Sequence, residues 1–294
     1  MKAYGHCGIN KQPSETGTPV PLNDKIQNIL RMKTDNINLV YFSATYTTRK
    51  VVRAVAECFK GNITEYDITV SEPEDGITMA DKDELLIVGV PVYAGRVPVM
   101  AVDALRRFHG QGTPAIAVCV YGNRAYDDAL LELCDLLAEN GFKTVAAGAF
   151  VARHSIFTTI ASDRPDRADM AAIKRFGDEC AHLIAAIDTT EGLTPPTVPG
   201  NRPYKTPGAI PLYPSGSRKK CTRCNTCVRN CPVHAISEKN PTRTDGKLCI
   251  SCGRCVEICP EHTRCFSGLL YTVAKRKLSR MCKERREPEW YLAQ

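Results

Sequence analysis

Two stretches of the 294-residue sequence, CTRCNTCVRNCP at 221–232 and CISCGRCVEICP at 249–260, repeat one arrangement of cysteine and proline. In each, three cysteines are separated by two residues, a fourth follows after three more, and a proline comes next. Closely spaced thiolates can bind three corners of one iron–sulfur cube, and the fourth cysteine of each run then ligates the other run's cluster. The spacing therefore predicts two [4Fe-4S] clusters, one held by Cys221, Cys224, Cys227 and Cys259 and the other by Cys249, Cys252, Cys255 and Cys231.

Zinc and disulfides are the competing uses of these cysteines. Four-cysteine zinc sites use paired C-x2-C knuckles, two pairs to each ion, and not a group of three followed by a single ligand and a proline. Disulfide frameworks are typical of small secreted chains, whereas the first thirty residues here lack the apolar segment of a secretory signal. No run of 18 apolar residues occurs either, so we expect a cytoplasmic protein without membrane insertion.

Charge and composition divide the chain. Residues 35–190 carry 15 Lys+Arg and 22 Asp+Glu (net −7), whereas residues 218–294 carry 17 and 7 (net +10). Residues 191–217 contain seven prolines and four glycines, which predicts an extended linker or a surface strap. We expect a first domain at 35–190, a cysteine-rich domain at 218–266 and a basic helix or tail at 267–294. Residues 1–34 are an extension, and we hypothesise that translation begins at Met32.

The first domain alternates short apolar runs with amphipathic segments, as a parallel sheet covered by helices does. Five segments, mostly rich in Val, Ile and Ala, are predicted strands: 37–42, 63–68, 84–90, 115–121 and 145–152. Helices are predicted at 48–59, 98–109, 125–140 and 166–187. The sequence thus predicts an α/β fold with a doubly wound five-stranded parallel sheet, followed by a small α+β domain around the cysteines.

Ligands of such a sheet bind beyond the carboxyl ends of its strands, so the loops after the first, third and fourth strands are candidates. The first of these loops places four hydroxyls directly before a helix, at Ser43, Thr45, Thr47 and Thr48. Backbone N–H groups at a helix start favour an anion, so this loop is predicted to bind a phosphate. The alternative is a simple helix cap, for which one hydroxyl suffices.

The other two loops each combine an aromatic residue with a glycine. One offers Tyr93 and Gly95, and the other offers Tyr121, Gly122, Asn123 and Tyr126. A flat heterocycle needs apolar faces to stack on and backbone groups that approach its rim closely. Tyr93 and Tyr126 are the candidate stacking faces, with ordinary packing as the alternative for either ring taken singly.

Residues 37–187 resemble the flavodoxin family, which binds FMN with a hydroxyl-rich phosphate loop and two loops that flank the ring. The resemblance implies the strand order 2-1-3-4-5. In this sequence Tyr46 and Thr47 stand where the family's phosphate loop has glycine and asparagine, so a positive φ at position 46 would strain an aromatic residue. Residues 218–266 are similar to bacterial two-cluster ferredoxins, and 37–266 as a whole resembles the ferredoxin/flavodoxin-fold fusion proteins of anaerobic bacteria.

This resemblance implies an electron carrier, because clusters pass single electrons, a flavin holds one or two, and a tether raises their effective concentration. We expect electron transfer between two [4Fe-4S] clusters, FMN and redox partner proteins. One alternative is a flavoenzyme that reduces a bound substrate and takes electrons from its own ferredoxin domain, with His154 as the candidate acid. Another is a first domain without flavin that only docks partners.

The run from Lys275 to Arg286 is predicted to be a basic helix with Trp290 near its end. Its cations are too few, and too far offset by glutamates, for a nucleic-acid site, so a solvated or docking helix is expected.

Overall fold

The computed structural model describes residues 32, 34–71, 76–79, 83–208 and 211–294. Of the predicted extension at 1–34, residues 1–31 and 33 lie outside the described residues. The strands in this part of the chain are β1 (Asn36–Tyr41), β2 (Asn62–Asp67), β3 (Ile77–Met79), β4 (Glu84–Pro91), β5 (Phe108–Gly110), β6 (Pro114–Tyr121), β7 (Lys143–Val151), β8 (Ser215–Gly216), β9 (Arg264–Cys265) and β10 (Glu289–Leu292). The helices are α1 (Thr47–Ala56), α2 (Val99–Leu105), α3 (Ala129–Glu139), α4 (Arg167–Ala186), α5 (Thr226–Arg229), α6 (Arg254–Glu257) and α7 (Leu269–Met281).

Five parallel strands form the main sheet in the order β2-β1-β4-β6-β7. Counted along the chain, this is the doubly wound order 2-1-3-4-5 of flavodoxin-like folds. Every residue of β6 is buried, which is why its sequence is a continuous apolar run, whereas the more polar β2 lies at the sheet edge and is mostly exposed. The predicted α/β fold is therefore confirmed.

Successive residues of the strands point to opposite faces, so the sheet divides the core into two layers. On one face Val40 and Val88 pack with residues of α2 and α3. On the other, Leu39 and Ile87 pack with residues of α1 and α4.

A sixth strand extends the predicted sheet of five. Strand β10 pairs antiparallel with β7, and Trp290 stands opposite Gly148. The predicted basic helix is thus wrong beyond residue 281, because α7 ends there and Trp290 belongs to the sheet. The Trp290 indole packs on Phe176, 6.2 Å between ring centroids, and its Nε1 donates to Glu179 at 2.7 Å.

All four predicted helices are shorter than their sequence patterns indicate, and two of them differ most. The helix expected at 98–109 ends at Leu105, because residues 108–110 form β5 and pair in parallel with β3. The helix expected at 125–140 begins at Ala129, and Asp127 before it has a φ of 46°, which a helix does not accommodate. None of the helices in the described residues is long and apolar enough to cross a bilayer.

The proline-rich segment lies against α3 as a surface strap. Both the backbone N and the side-chain Nδ2 of Asn201 donate to Asp128, at 2.9 and 3.1 Å. The backbone N of Lys205 donates to the second oxygen of the same carboxylate at 2.7 Å. Arg202 pairs with Asp135 further along α3. The strap therefore leads the chain along the first domain to the cysteine-rich domain.

Candidate functional site

The eight cysteines of the two repeated stretches line two separate cavities. The outer set, as we name it, is Cys221, Cys224, Cys227 and Cys259. The inner set is Cys231, Cys249, Cys252 and Cys255. Each set combines three cysteines of one stretch with the fourth cysteine of the other, as crossed ligation of two cubes requires.

A cube and a single metal ion require different arrangements of their thiolate ligands. Within the described residues, no group of three or more His, Cys, Asp or Glu could hold one metal ion. A [4Fe-4S] cube takes one thiolate on each of its four irons, so its ligands do not have to converge on a single point. The two sets of four therefore fit a cube by their number and their sulfur chemistry.

Backbone N–H groups are directed at several of these sulfurs. The backbone N of Ala235 donates to the Cys231 Sγ at 3.3 Å, and that of Thr263 donates to the Cys259 Sγ at 3.4 Å. Hydrogen bonds to sulfur stabilise the negative charge of a thiolate and of any cluster bound to it. Exposure differs within the outer set, because Cys224 is exposed whereas Cys227 and Cys259 are buried.

A buried cation, Arg264, lies beside both sets. Only 3% of this residue is exposed, and its guanidinium donates to the backbone oxygens of Pro214 and Pro241. Burial raises the pKa of the Cys255 thiol to about 11, and the charge of Arg264 opposes that rise. Burial also raises the pKa of Cys227, in the outer set, and the charge of Arg264 again opposes that rise. Arg264 therefore favours negative charge in both cavities.

The hydroxyl-rich loop lines a third cavity, at the carboxyl edge of the sheet. This hydroxyl cavity, of about 50 Å³, is lined by Thr45, Thr47 and Thr48. The Oγ1 atoms of Thr45 and Thr47 are 3.4 Å apart. Ser43 is used differently, because its buried Oγ accepts a hydrogen bond from the Arg49 backbone N at 3.0 Å and so caps the first turn of α1. Three of the four predicted hydroxyl residues therefore meet at one cavity.

The backbone at Tyr46 is left-handed, with a φ of 62°. Glycine adopts this conformation freely, whereas a residue with a side chain is strained in it by on the order of 1–3 kcal/mol. The ring is 40% exposed, and the Arg254 guanidinium carbon lies 5.4 Å from its centroid. The loop thus keeps the backbone shape of a glycine turn with an aromatic residue in it, and a cation of the cysteine-rich domain covers that residue.

A larger cavity, of about 600 Å³, adjoins the hydroxyl cavity. Val92, Tyr121, Gly122 and His154 line both cavities. Gly95, with a φ of 84°, also lines the large cavity. Its opposite wall is helix α7, and its volume is within the range of small-molecule and cofactor sites. A small polar cavity therefore opens beside a large apolar one.

The two predicted stacking rings lie in different places. Tyr93 lines the hydroxyl cavity. The prediction that Tyr126 is a stacking face is wrong. Its buried ring packs on Tyr121, 5.5 Å between centroids, and its hydroxyl donates to Glu289 at 2.7 Å. Tyr126 thus fastens β10 and offers no free face to a ligand.

Asn123 also holds the end of the chain. Its buried Nδ2 donates to the backbone oxygens of Cys282 and Glu284, at 3.1 and 2.9 Å. Its Oδ1 accepts from the backbone N of Arg286 at 3.0 Å. Because the loop and the tail are far apart in sequence, the pattern of the loop alone could not reveal this role.

His154, the candidate acid, lies between the two cavities with a fixed ring. Its Nδ1 accepts from the backbone N of Ile156 at 3.2 Å and of Phe157 at 3.3 Å. Burial lowers the pKa of His154 to about 4, so the imidazole is neutral at pH 7 and its proton is on Nε2. A neutral imidazole can donate a hydrogen bond to a ligand, but it is a poor source of protons near neutral pH.

The inner set lies directly against the loops that form these cavities. Arg254, only 6% exposed, donates from Nη1 to the Ser43 backbone oxygen at 3.3 Å. A Cβ on Gly253 would come 2.9 Å from the Ser155 backbone oxygen, so glycine permits this close approach. Cys252 packs in the apolar core of the first domain, which we call the sheet domain. Burial raises the pKa of Tyr93, and the negative charge of the Cys252 thiolate raises it further.

Sequence reasoning missed both residues of this contact, Gly253 and Arg254. They occupy the variable positions between Cys252 and Cys255, and the spacing rule leaves those positions open. A cationic residue inside the motif is a weak signal, because its partner is a backbone oxygen more than two hundred residues earlier.

Comparison with known proteins assigns the second domain. Residues 220–263 match the family model of a 4Fe-4S dicluster domain. The sheet domain is similar to solved flavodoxins. One is from the domain Archaea (14% identity, 51% of this chain and 98% of that chain, TM-score 0.34). Another is from Streptococcus pneumoniae (16% identity, 50% of this chain and 98% of that chain, TM-score 0.35). A third, from Fusobacterium nucleatum, is bound to flavin mononucleotide (14% identity, 49% of this chain and 95% of that chain, TM-score 0.36). No curated protein matches the sequence significantly.

These likenesses to solved structures are weak, so the fold of the first domain rests on its strand order. With the match at 220–263, that order defines the class of protein: a 4Fe-4S ferredoxin-type domain follows a flavodoxin-like α/β domain on one chain.

Proposed function

We propose that this protein is an electron carrier in which two [4Fe-4S] clusters and FMN exchange electrons within one chain and with redox partner proteins. One observation carries the proposal: Cys252, Gly253 and Arg254 of the inner set's motif pack against the same loops that line the hydroxyl cavity. In this proposal the inner cluster would lie next to the flavin, and the outer cluster would lie on the solvent side.

The count of two clusters is supported by the two cavities, each lined by four cysteines. Cys231 provides the test, because it belongs to the first stretch but lies in the inner set. Cys231→Ser should therefore alter the spectrum of the inner cluster and leave that of the outer cluster. Cys265→Ser is the matched control, because Cys265 is exposed and lies in neither cavity's lining. A change in the outer cluster alone would show that the ligands do not cross.

The FMN site is supported by the adjoining cavities. The phosphate would lie at Thr45, Thr47 and Thr48, where the start of α1 favours an anion. The ring would lie in the large cavity beside Gly95 and Gly122. When bound, FMN would supply the conversion between one-electron and two-electron transfer. Around it the chain excludes water with the apolar wall of α7 and offers the Nε2–H of His154 as a donor.

We retain the carrier over the substrate reductase for one physical reason. His154 is the candidate acid for a reductase whose substrate is protonated by a side chain. With a pKa of about 4, it holds too little ionised imidazolium near neutral pH for that role.

The test is a kinetic one on anaerobically purified protein. We expect about eight iron atoms, from two cubes of four, and one FMN for each chain. After rapid reduction of the clusters by a one-electron donor, FMN should be reduced at a rate that does not depend on protein concentration, since both centres are on one chain. A rate proportional to concentration would show transfer between molecules and contradict the proposal, as would stoichiometric zinc or the absence of flavin.

A further inference from the structure

The stretches of chain that line the outer cavity are rich in exposed cationic residues. Seven exposed lysines and arginines flank, within two residues, a residue that lines the outer cavity: Arg218, Lys219, Lys220, Arg223, Arg229, Lys239 and Arg243. We call this group the basic face. The carboxylates within three residues of the lining are Glu261, which also lines the cavity, Glu238 and Glu257, and Glu257 pairs with Arg153. The face therefore keeps a large positive excess.

The cations of the basic face are not paired with carboxylates in the part of the chain that the structure describes. Among the residues that the structure describes, none of the seven side chains forms an ion pair. Arg285 differs, because it pairs with Asp166 and Asp169 on the sheet domain. Exposed cations without partners act mainly through the field they produce in solvent.

The most accessible cysteine of the two sets lies within this face. Cys224 is exposed, Arg223 precedes it directly, and Lys220 precedes Cys221. The inner set instead faces the sheet domain through Cys252 and Arg254. The outer set is therefore the one with a ligand exposed among the cations of the basic face.

The sheet domain has the opposite charge, net −7 over residues 35–190. An approaching acidic protein is thus attracted to one end of the molecule and repelled from the other, which orients the encounter before contact. A nucleic acid would also be attracted to these cations. Its binding would not account for Cys224, an exposed cluster ligand that lies among them.

We propose that the basic face is the docking surface for an acidic electron-transfer protein, which exchanges one electron with the outer cluster. The inference rests on the proposed function and adds the chemistry of the partner and the place where it binds. The step transfers one electron: the partner's centre is oxidised as the cluster is reduced, or the reverse, and no bond or proton changes hands.

The probes are two one-electron oxidants of opposite charge, tris(oxalato)cobaltate(III) at 3− and hexaamminecobalt(III) at 3+, mixed with the dithionite-reduced holoprotein. As ionic strength rises, the rate of oxidation by the anion should fall, whereas the rate of oxidation by the cation should not. An oxidised flavodoxin of negative net charge, used as a protein acceptor, should follow the anion.

The variant Lys219→Glu/Lys220→Glu/Arg223→Glu reverses charge beside Cys221 and Cys224. It should slow the anionic oxidant and the acidic flavodoxin about tenfold or more at low salt. Arg276→Glu/Arg280→Glu/Lys283→Glu is the matched control, because it changes the net charge equally on exposed residues at and beyond α7. The control should change these rates less than about twofold.

Equal slowing by the two triple variants would show that net charge alone matters, and it would overturn the proposal. No slowing by the first variant would do the same. Salt-sensitive binding of a single-stranded oligonucleotide, lost in the first variant, together with an unchanged rate for the acidic flavodoxin, would assign the face to nucleic acid instead. Iron and flavin contents of the same samples report separately on the proposed function.

Discussion

Replacing Thr45 by alanine tests the assignment of the hydroxyl cavity to a phosphate. Thr45 and Thr47 approach within 3.4 Å at their Oγ1 atoms, and the change removes one of three hydroxyl residues from the cavity lining. A hydrogen bond to a charged group contributes about 1.5–3 kcal/mol. FMN should therefore bind about one to two decades more weakly. Riboflavin, which has no phosphate, should bind as it does to the unchanged protein.

The measurement is a fluorescence titration of the protein, freed of flavin, with FMN and with riboflavin. Ser43→Ala is the matched control in the same loop. The Ser43 hydroxyl is bound to the Arg49 backbone N, so its loss should cost about 1 kcal/mol of stability as a missing helix cap does, without discriminating between the two flavins. Equal weakening of FMN and riboflavin by Thr45→Ala would refute the phosphate assignment. Selective loss of FMN in Ser43→Ala would show that the wrong hydroxyls have been chosen.

Three further outcomes are expected. Arg264→Gln removes a buried cation beside both sets of cysteines, so the cluster potentials measured by redox titration should fall, by about 59 mV for each 1.4 kcal/mol of lost stabilisation of the reduced state; unchanged potentials would exclude this role. His154 has a folded pKa of about 4, so below pH 6.5 the unfolded chain takes up a proton that the native chain does not, and the free energy of unfolding should fall between pH 6.5 and 4. In His154→Gln that fall should be smaller, and parallel denaturation curves would contradict it. Arg254→Met removes the contact with the Ser43 backbone oxygen, so amide hydrogen exchange at residues 43–48 should become faster. FMN reduction by the clusters should become slower at constant iron content. Unchanged exchange and an unchanged rate would show that Arg254 does not hold the two domains together.

The parallel sheet could be predicted from sequence because its strands carry their signal locally. A buried strand such as β6 is apolar throughout, and a helix such as α4 has a long amphipathic pattern. Strand β10 gives no such signal, since four residues that include Glu289 and Trp290 owe their conformation to pairing with a strand far back in the chain. The short β3 and β5 are hidden for the same reason.

For the candidate site, spacing located the cysteines and loop position located the hydroxyls. Spacing could not say which hydroxyl turns inward, and Ser43 turns to a backbone N instead. Nor could an aromatic residue in a loop reveal its partner: Tyr126 meets Glu289, a residue of the strand that sequence reasoning missed. Two of the errors, at Tyr126 and at β10, therefore have one source, the return of the end of the chain to the sheet.

That return makes the order of synthesis important. Glu289 follows Cys259, the last cysteine of the two sets, by 30 residues, so a ribosome completes both motifs before it releases β10. Until then the edge of β7, with small residues at Ala146, Ala147 and Ala149, has no neighbour there and is open to pairing with other chains. Sulfur ligands are thus available to iron before the sheet closes. A nascent chain that stalls near residue 281 would carry its complete cysteine motifs with an aggregation-prone edge exposed.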